Sequence, residues 1–304
     1  MQVIRVAHYE VVFQMMMTIE RMSMKPFSDR LAEAVQRFGP LCVGLDPRLE
    51  SLPLSMRKRY PTPPDAVEAF CLSCLDLCRP FAGIVKPQAA FFELFGATGM
   101  AVMGRVIAAA KERGYFVILD AKRGDIASTA EAYADAAFRV WKADALTVNP
   151  YLGRDAIDPF VRVARETQNG LFVLVRTSNP GAGLFQDLVC EGKPVYRHVA
   201  SAVAEWNEVG IGDSGFGDVG AVVGATHPAE LAELRAALPH CWLLVPGYGA
   251  QGGTAAEVKT AFRADGLGAI VNSSRGVTFP FQPDEMEWET KIVAAAKRAQ
   301  EELR

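Results

Sequence analysis

The sequence predicts a single α/β domain folded as a closed (β/α)8 TIM barrel, and two observations predict it. Eight apolar, β-branched runs recur along the 304 residues, separated by amphipathic or Ala-rich segments of helix length. Nearly every run ends in a polar side chain, and in a parallel barrel those ends meet at one rim, where barrel active sites lie. A doubly wound open sheet shares the first observation, because counting strands does not prove closure.

The elements follow in order. A helical segment at about 27–37 precedes the first strand and would cover the end of the barrel opposite the rim. The strands are 41–46 (LCVGLD), 83–88 (GIVKPQ), 116–122 (FVILDAK) and 145–150 (ALTVNP). They continue with 171–178 (LFVLVRTS), 219–226 (VGAVVGAT), 242–247 (WLLVPG) and 269–275 (AIVNSSR). Helices are expected over 65–79, 99–113, 126–142, 155–167, 194–208, 228–237 and 254–264, with a last one from about 285 to 303. Residues 1–25 carry no clear period, and Glu10, Gln14 and Glu20 interrupt any signal-peptide core. A start at Met24 would lose nothing from the fold, so 1–25 reads as an extension or a misassigned start and 26–304 as the barrel domain.

Composition narrows the function. Half the residues are apolar, enough for a large core, and a net charge of −3 argues against nucleic acid or an anionic membrane as the main partner. No apolar run approaches the ~20 residues of a membrane span. Six cysteines without a disulfide pattern fit the cytoplasm. Cys71, Cys74 and Cys78 fall at helical spacing in an apolar stretch and read as a buried face rather than zinc ligands.

The chemistry concentrates after the third run, in FVILDAKRGDIAST (116–129). On a regular strand positions two apart share a face, so Asp120 and Lys122 point one way. Asp125 sits where the chain turns into the next helix. Such charges beside a Val-Ile-Leu strand are costly unless paired, so the group is either a structural ion pair or a reactive array. Its company at the rim is Asp46, Lys86, Gln88, Asn149, Thr177, Ser178, Thr226 and Gln251. The loops PGYGAQGG (246–253) and NSSRG (272–276) follow strands seven and eight, the usual phosphate position of a barrel. Their glycines let amide groups approach an anion, Arg275 adds a bidentate donor beside Ser274, and Gln251 adds a neutral one. The same glycines could serve as helix caps and turns. Asp46 and Lys86 would suit the hydroxyls of a sugar, and Ser178 a polar heterocycle.

In order along the chain, VGLDP, VKPQAAFFE, DAKRGDI, VNPYLG, VRTSNPGAG, VPGYGAQGG and VNSSRGV resemble the orotidine 5′-phosphate decarboxylases of the longer bacterial type. The likeness runs from about Leu41 to Val277 and leaves the segment 208–220 unmatched. The resemblance implies a homodimeric barrel that converts orotidine 5′-monophosphate to uridine 5′-monophosphate without metal or organic cofactor. It implies Lys86, Asp120, Lys122 and Asp125 as an alternating charged array with Lys122 as proton donor. Asp125 and Thr129 would reach the site of the neighbouring subunit. Asp46 would hold the ribose, Ser178 the pyrimidine, and Gln251 with Arg275 the phosphate. The alternatives are a metal-dependent sugar-phosphate decarboxylase or synthase barrel, in which the carboxylates bind magnesium, and a non-catalytic nucleotide-phosphate sensor.

Overall fold

The computed structural model describes residues 25–226, 228–249 and 253–304. The expected extension at 1–25 therefore lies outside the described residues except for Lys25, and so does Gln251. Eight parallel strands close into a barrel: β1 (Leu41–Leu45), β2 (Ile84–Pro87), β3 (Phe116–Arg123), β4 (Ala145–Val148), β5 (Gly170–Arg176), β6 (Val219–Val223), β7 (Leu243–Val245) and β8 (Ala269–Ser273). Each pairs with its successor, and β8 returns to β1 through Leu41↔Val271 and Val43↔Ser273, which excludes the open sheet.

Alternation along each strand divides the apolar residues into two bodies. Outward residues such as Val43, Val85, Val117 and Val271 pack under the surrounding helices in one large core. Inward residues such as Cys42, Ile84, Ile118, Phe172, Leu244 and Ile270 form a second cluster inside the barrel. The helix Phe27–Phe38 floors that inner cluster, as expected, because Phe27, Leu31 and Val35 recur at one-turn spacing on a single face. Phe27 lies 5.5 Å from the Phe116 ring and 6.1 Å from Phe172, each such burial being worth about 1.5–3 kcal/mol. Gly170 makes room for it, since an added Cβ would stand 2.6 Å from the Phe27 ring.

The unmatched segment 208–220 belongs to this floor. Phe216 packs on Trp242 at 4.6 Å, and Asp29 of the floor helix accepts the Ser214 amide at 2.8 Å. Cys71, Cys74 and Cys78 are buried in the helix Pro63–Cys78, where burial pushes the Cys78 thiol up to about 12. The remaining expected helices form with shifts of a few residues. Two are modified: 126–142 becomes the α-helix Ala127–Asp135 followed by the π-turn Ala136–Val140, and 254–264 shortens to Ala255–Val258 plus the 3-10 turn Lys259–Ala261. Among the described residues no helix is long and apolar enough to cross a membrane.

Candidate active site

Inside the barrel, the change from apolar to polar happens at one level. Two residues above Ile84, Ile118, Ala145 and Ile270 on their strands come Lys86, Asp120, Thr147 and Asn272, all buried. On β1 the same level holds Gly44, where an added Cβ would lie 1.9 Å from Ser274 Oγ and 3.1 Å from Asn272 Oδ1. Glycine there lets the loop after β8 enter the mouth of the barrel.

Asp120 is the centre of this level. Its Oδ2 accepts from Lys86 Nζ at 2.7 Å and Gln88 Nε2 at 3.0 Å. Its Oδ1 accepts from Lys122 Nζ at 2.7 Å and Thr147 Oγ1 at 2.9 Å. Four donors fill both oxygens of the carboxylate. Burial pushes the Asp120 carboxyl up, but the Lys86 and Lys122 charges outweigh it and hold it well below the usual carboxylate range. Burial pulls the Lys86 ammonium down, yet the charges of Asp120 and Asp46, with the Asp120 hydrogen bond, keep it above its ordinary value. Asp120 is thus an anion and Lys86 a cation at neutral pH.

Asp120 and Lys122 do meet, though not by the regular pleat expected of a strand. The β3–β4 register slips between Leu119 and Arg123, and Lys122 adopts a left-handed φ of 46°. Such a conformation costs a non-glycine residue about 1–3 kcal/mol, so the surroundings must enforce it. The result is an ammonium whose side chain is 46% exposed, fixed against a carboxylate that is 8% exposed. One end of the pair is anchored in the core and the other faces the mouth.

The other predicted residues divide. Asp46 lies close enough to Lys86 to raise its pKa, and its Oδ1 is buried with no hydrogen-bond partner among the described residues. An orphaned acceptor at the mouth fits a missing donor such as a ligand hydroxyl. Ser178 is half-buried after β5, against Gly224. Its loop is anchored by buried Arg176, which pairs with Glu230 at 2.6 Å and Asp187 at 2.7 Å. Arg275 is exposed at the start of Arg275–Thr278, beside half-buried Ser274. Across the mouth, the loop after β7 turns through Gly247 and Gly249 at φ 100° and 73°. It closes through the Gly249 amide donating to the Gly253 carbonyl at 2.9 Å.

Asp125 and Thr129 do not join the array within the chain. Among the described residues no bond links Asp125 to Lys122, and Asp125 Oδ1 accepts the Ile126 amide at 2.8 Å. Thr129 is exposed on the following helix. Two rim groups are structural instead: Asn149 caps a turn by accepting the Tyr151 amide at 3.1 Å, and Thr177 bonds Asn179 and Gln186. Thr147 and Asn272 line this level although the sequence pattern singles out neither, and Gln88, a rim group of no assigned role, bonds Asp120. The signal for Thr147 and Asn272 is a polar residue on the inward face of an otherwise apolar strand, level with Lys86 and Asp120.

A closed parallel barrel with a strained, charge-paired lysine at its C-terminal mouth is the arrangement of a (β/α)8-barrel enzyme. The chain belongs to the Orotidine 5′-phosphate decarboxylase / HUMPS family, whose model matches residues 39–285. It is 47% identical over 301 residues to the orotidine 5′-phosphate decarboxylase of Rhodopirellula baltica, covering 92% of this chain and 100% of that one. It is 46% identical over 241 residues to the enzyme of the same name from Deinococcus radiodurans, covering 79% and 84% of the two chains. The structure of OMP decarboxylase from Leishmania donovani matches with a TM-score of 0.75 at 39% identity, over 91% of this chain and 97% of that one.

Proposed function

We propose that this protein decarboxylates orotidine 5′-monophosphate to uridine 5′-monophosphate in de novo pyrimidine biosynthesis, with Lys122 as proton donor. The observation that carries this reading is the saturated carboxylate of Asp120, held between Lys86 and Lys122 at the mouth of the barrel. The bond from ring carbon to carboxylate breaks, carbon dioxide leaves, and the electron pair stays on the ring carbon. Lys122 Nζ supplies a fixed positive charge beside that developing carbanion and then the proton that quenches it. Asp120 keeps the ammonium in place, and Lys86 neutralises the far side of Asp120. Asp46 takes the ribose hydroxyls, Ser178 the pyrimidine, and Ser274 with Arg275 and Gln251 the phosphate. Binding energy from the remote phosphate closes the loops and drives the substrate carboxylate toward the charged array.

The metal-dependent sugar-phosphate barrel is the weaker alternative. To ligate magnesium, Asp120 would have to give up donors that already occupy both its oxygens. A nucleotide-phosphate sensor would have no use for a lysine strained into a left-handed conformation. The discriminating experiment follows the loss of substrate absorbance in a strong chelator. Decarboxylation at the undiminished rate supports the proposal; abolition by chelator and restoration by magnesium would overturn it.

We also propose a homodimer with shared sites. Among the described residues Asp125 has no cation partner, and Ile126, Tyr133 and Val140 recur at seven-residue spacing as exposed apolar groups along the same segment. An isologous pairing of that face would bury the stripe and carry Asp125 and Thr129 to the partner's site. Lys122→Ala and Asp125→Asn homodimers would then both be nearly inactive. Re-associating equal amounts gives about half mixed dimers, each with one intact site, so activity recovers toward roughly a quarter of wild type. Mixed dimers that form without recovery would place Asp125 in its own chain's site. Six free thiols support a cytoplasmic setting.

A further inference from the structure

Strand β3 keeps register with β4 up to Leu119↔Leu146 and resumes it at Arg123↔Val148. Between those pairs Asp120, Ala121 and Lys122 face a single residue, Thr147. The ladder bonds lost at such a bulge must be replaced, because buried amides without partners are strongly disfavoured. Thr147 replaces them from its side chain. Its Oγ1 accepts the Ala121 amide at 3.1 Å and the Lys122 amide at 2.9 Å, and donates to Asp120 Oδ1 at 2.9 Å.

We infer that Thr147 is a positioning residue, whose one hydroxyl closes the β3 bulge and so sets Lys122 against Asp120. This rests on the reading of Lys122 as proton donor. A hydroxyl offers one donor and two acceptor sites, and here all three are taken. Nothing is left over for a ligand, so Thr147 acts through its neighbours and not on the substrate. Thr147 is 1% exposed, so its hydroxyl is held in place from within the barrel wall. β-Branching restricts χ1 and fixes the oxygen. Without it, β3 is free to relax toward a regular strand, and Lys122, at φ 46°, loses the contact that holds its backbone.

The test compares Thr147→Val, which keeps the shape and removes the hydroxyl, with Thr147→Ser, which keeps the hydroxyl. Turnover of orotidine 5′-monophosphate, KM, uridine 5′-monophosphate affinity and thermal unfolding are measured for each. Thr147→Val is expected to lower kcat roughly 100-fold, the scale of a 1 Å misplacement of a reacting group, with KM and product affinity nearly unchanged. Thr147→Ser should recover most of the lost kcat. Wild-type kcat in Thr147→Val overturns the inference, and so does a Thr147→Ser as slow as Thr147→Val. If Thr147→Val does not fold, Thr147→Cys, whose thiol bonds weakly, takes its place under the same criteria. Lys122→Ala in the same assay separates the two layers. An active Lys122→Ala overturns the proton-donor reading, whereas an inactive one beside a fully active Thr147→Val overturns the role of Thr147 alone.

Discussion

The barrel holds two buried aspartates that each grip two cations, Asp144 at the floor and Asp120 at the rim. Asp144 pairs with Arg30 of the floor helix and with Lys111 at 2.6 Å, and accepts the Val117 amide at 2.9 Å. Its backbone continues the sheet, its amide donating to the Val117 carbonyl at 2.8 Å and its carbonyl accepting the Gly170 amide at 3.0 Å. Asp120 also grips two cations, with Gln88 and Thr147 as neutral donors, yet one of its cations sits on a left-handed residue of a bulged strand and faces the open mouth. Burial and double ion pairing are therefore common to both carboxylates. What separates them is the strained backbone of the partner and its place at the open mouth, since the ammonium of Lys111 on Asp144 is exposed as well.

The contrast can be broken by neutralising each carboxylate in turn. Asp120→Asn should lower turnover roughly 10³-fold in a folded protein, because the charge that orients Lys122 is gone. Asp144→Asn should leave kcat of the folded protein near wild type and cost about 3 kcal/mol in denaturant unfolding, the low end for a broken buried pair. If the Asp144 variant loses turnover as Asp120→Asn does, the two ends are not functionally distinct. A smaller effect sharpens the comparison through pH. The folded pKa of Asp120 lies below its unfolded value, so its stabilisation is present above about pH 4 and is lost as pH falls further. Below that pH the denaturation midpoint of wild type should fall more steeply than that of Asp120→Asn. Parallel profiles would mean that Asp120 titrates alike in both states.

Much of this was legible in the sequence, for identifiable reasons. Continuous apolar runs such as FVIL and LFVLV mark strands buried on both faces, and the charges that end them mark the rim. Asp46, Lys86, Asp120 and Lys122 are legible that way. The bulge was not legible, because regular alternation already brings Asp120 and Lys122 together and nothing in DAKR announces a left-handed lysine. Thr147 was hidden inside ALTV, where a β-branched residue passes for packing. Asp144, just before β4, carries the same type of pairing as Asp120 with no sequence mark to separate them. Asn149 and Thr177 show the converse, rim residues whose polar groups are spent on turns.

The central claim is that Lys122, fixed by Asp120, performs the proton transfer. The most direct test measures turnover of orotidine 5′-monophosphate and calorimetric binding of uridine 5′-monophosphate in Lys122→Ala. Turnover is expected to fall by roughly 10⁴-fold or more, since both a fixed charge and a general acid are removed. Product binding should stay close to wild type, because the residues proposed to hold the phosphate and ribose follow other strands. A Lys122→Ala enzyme that decarboxylates at a near wild-type rate would contradict the account.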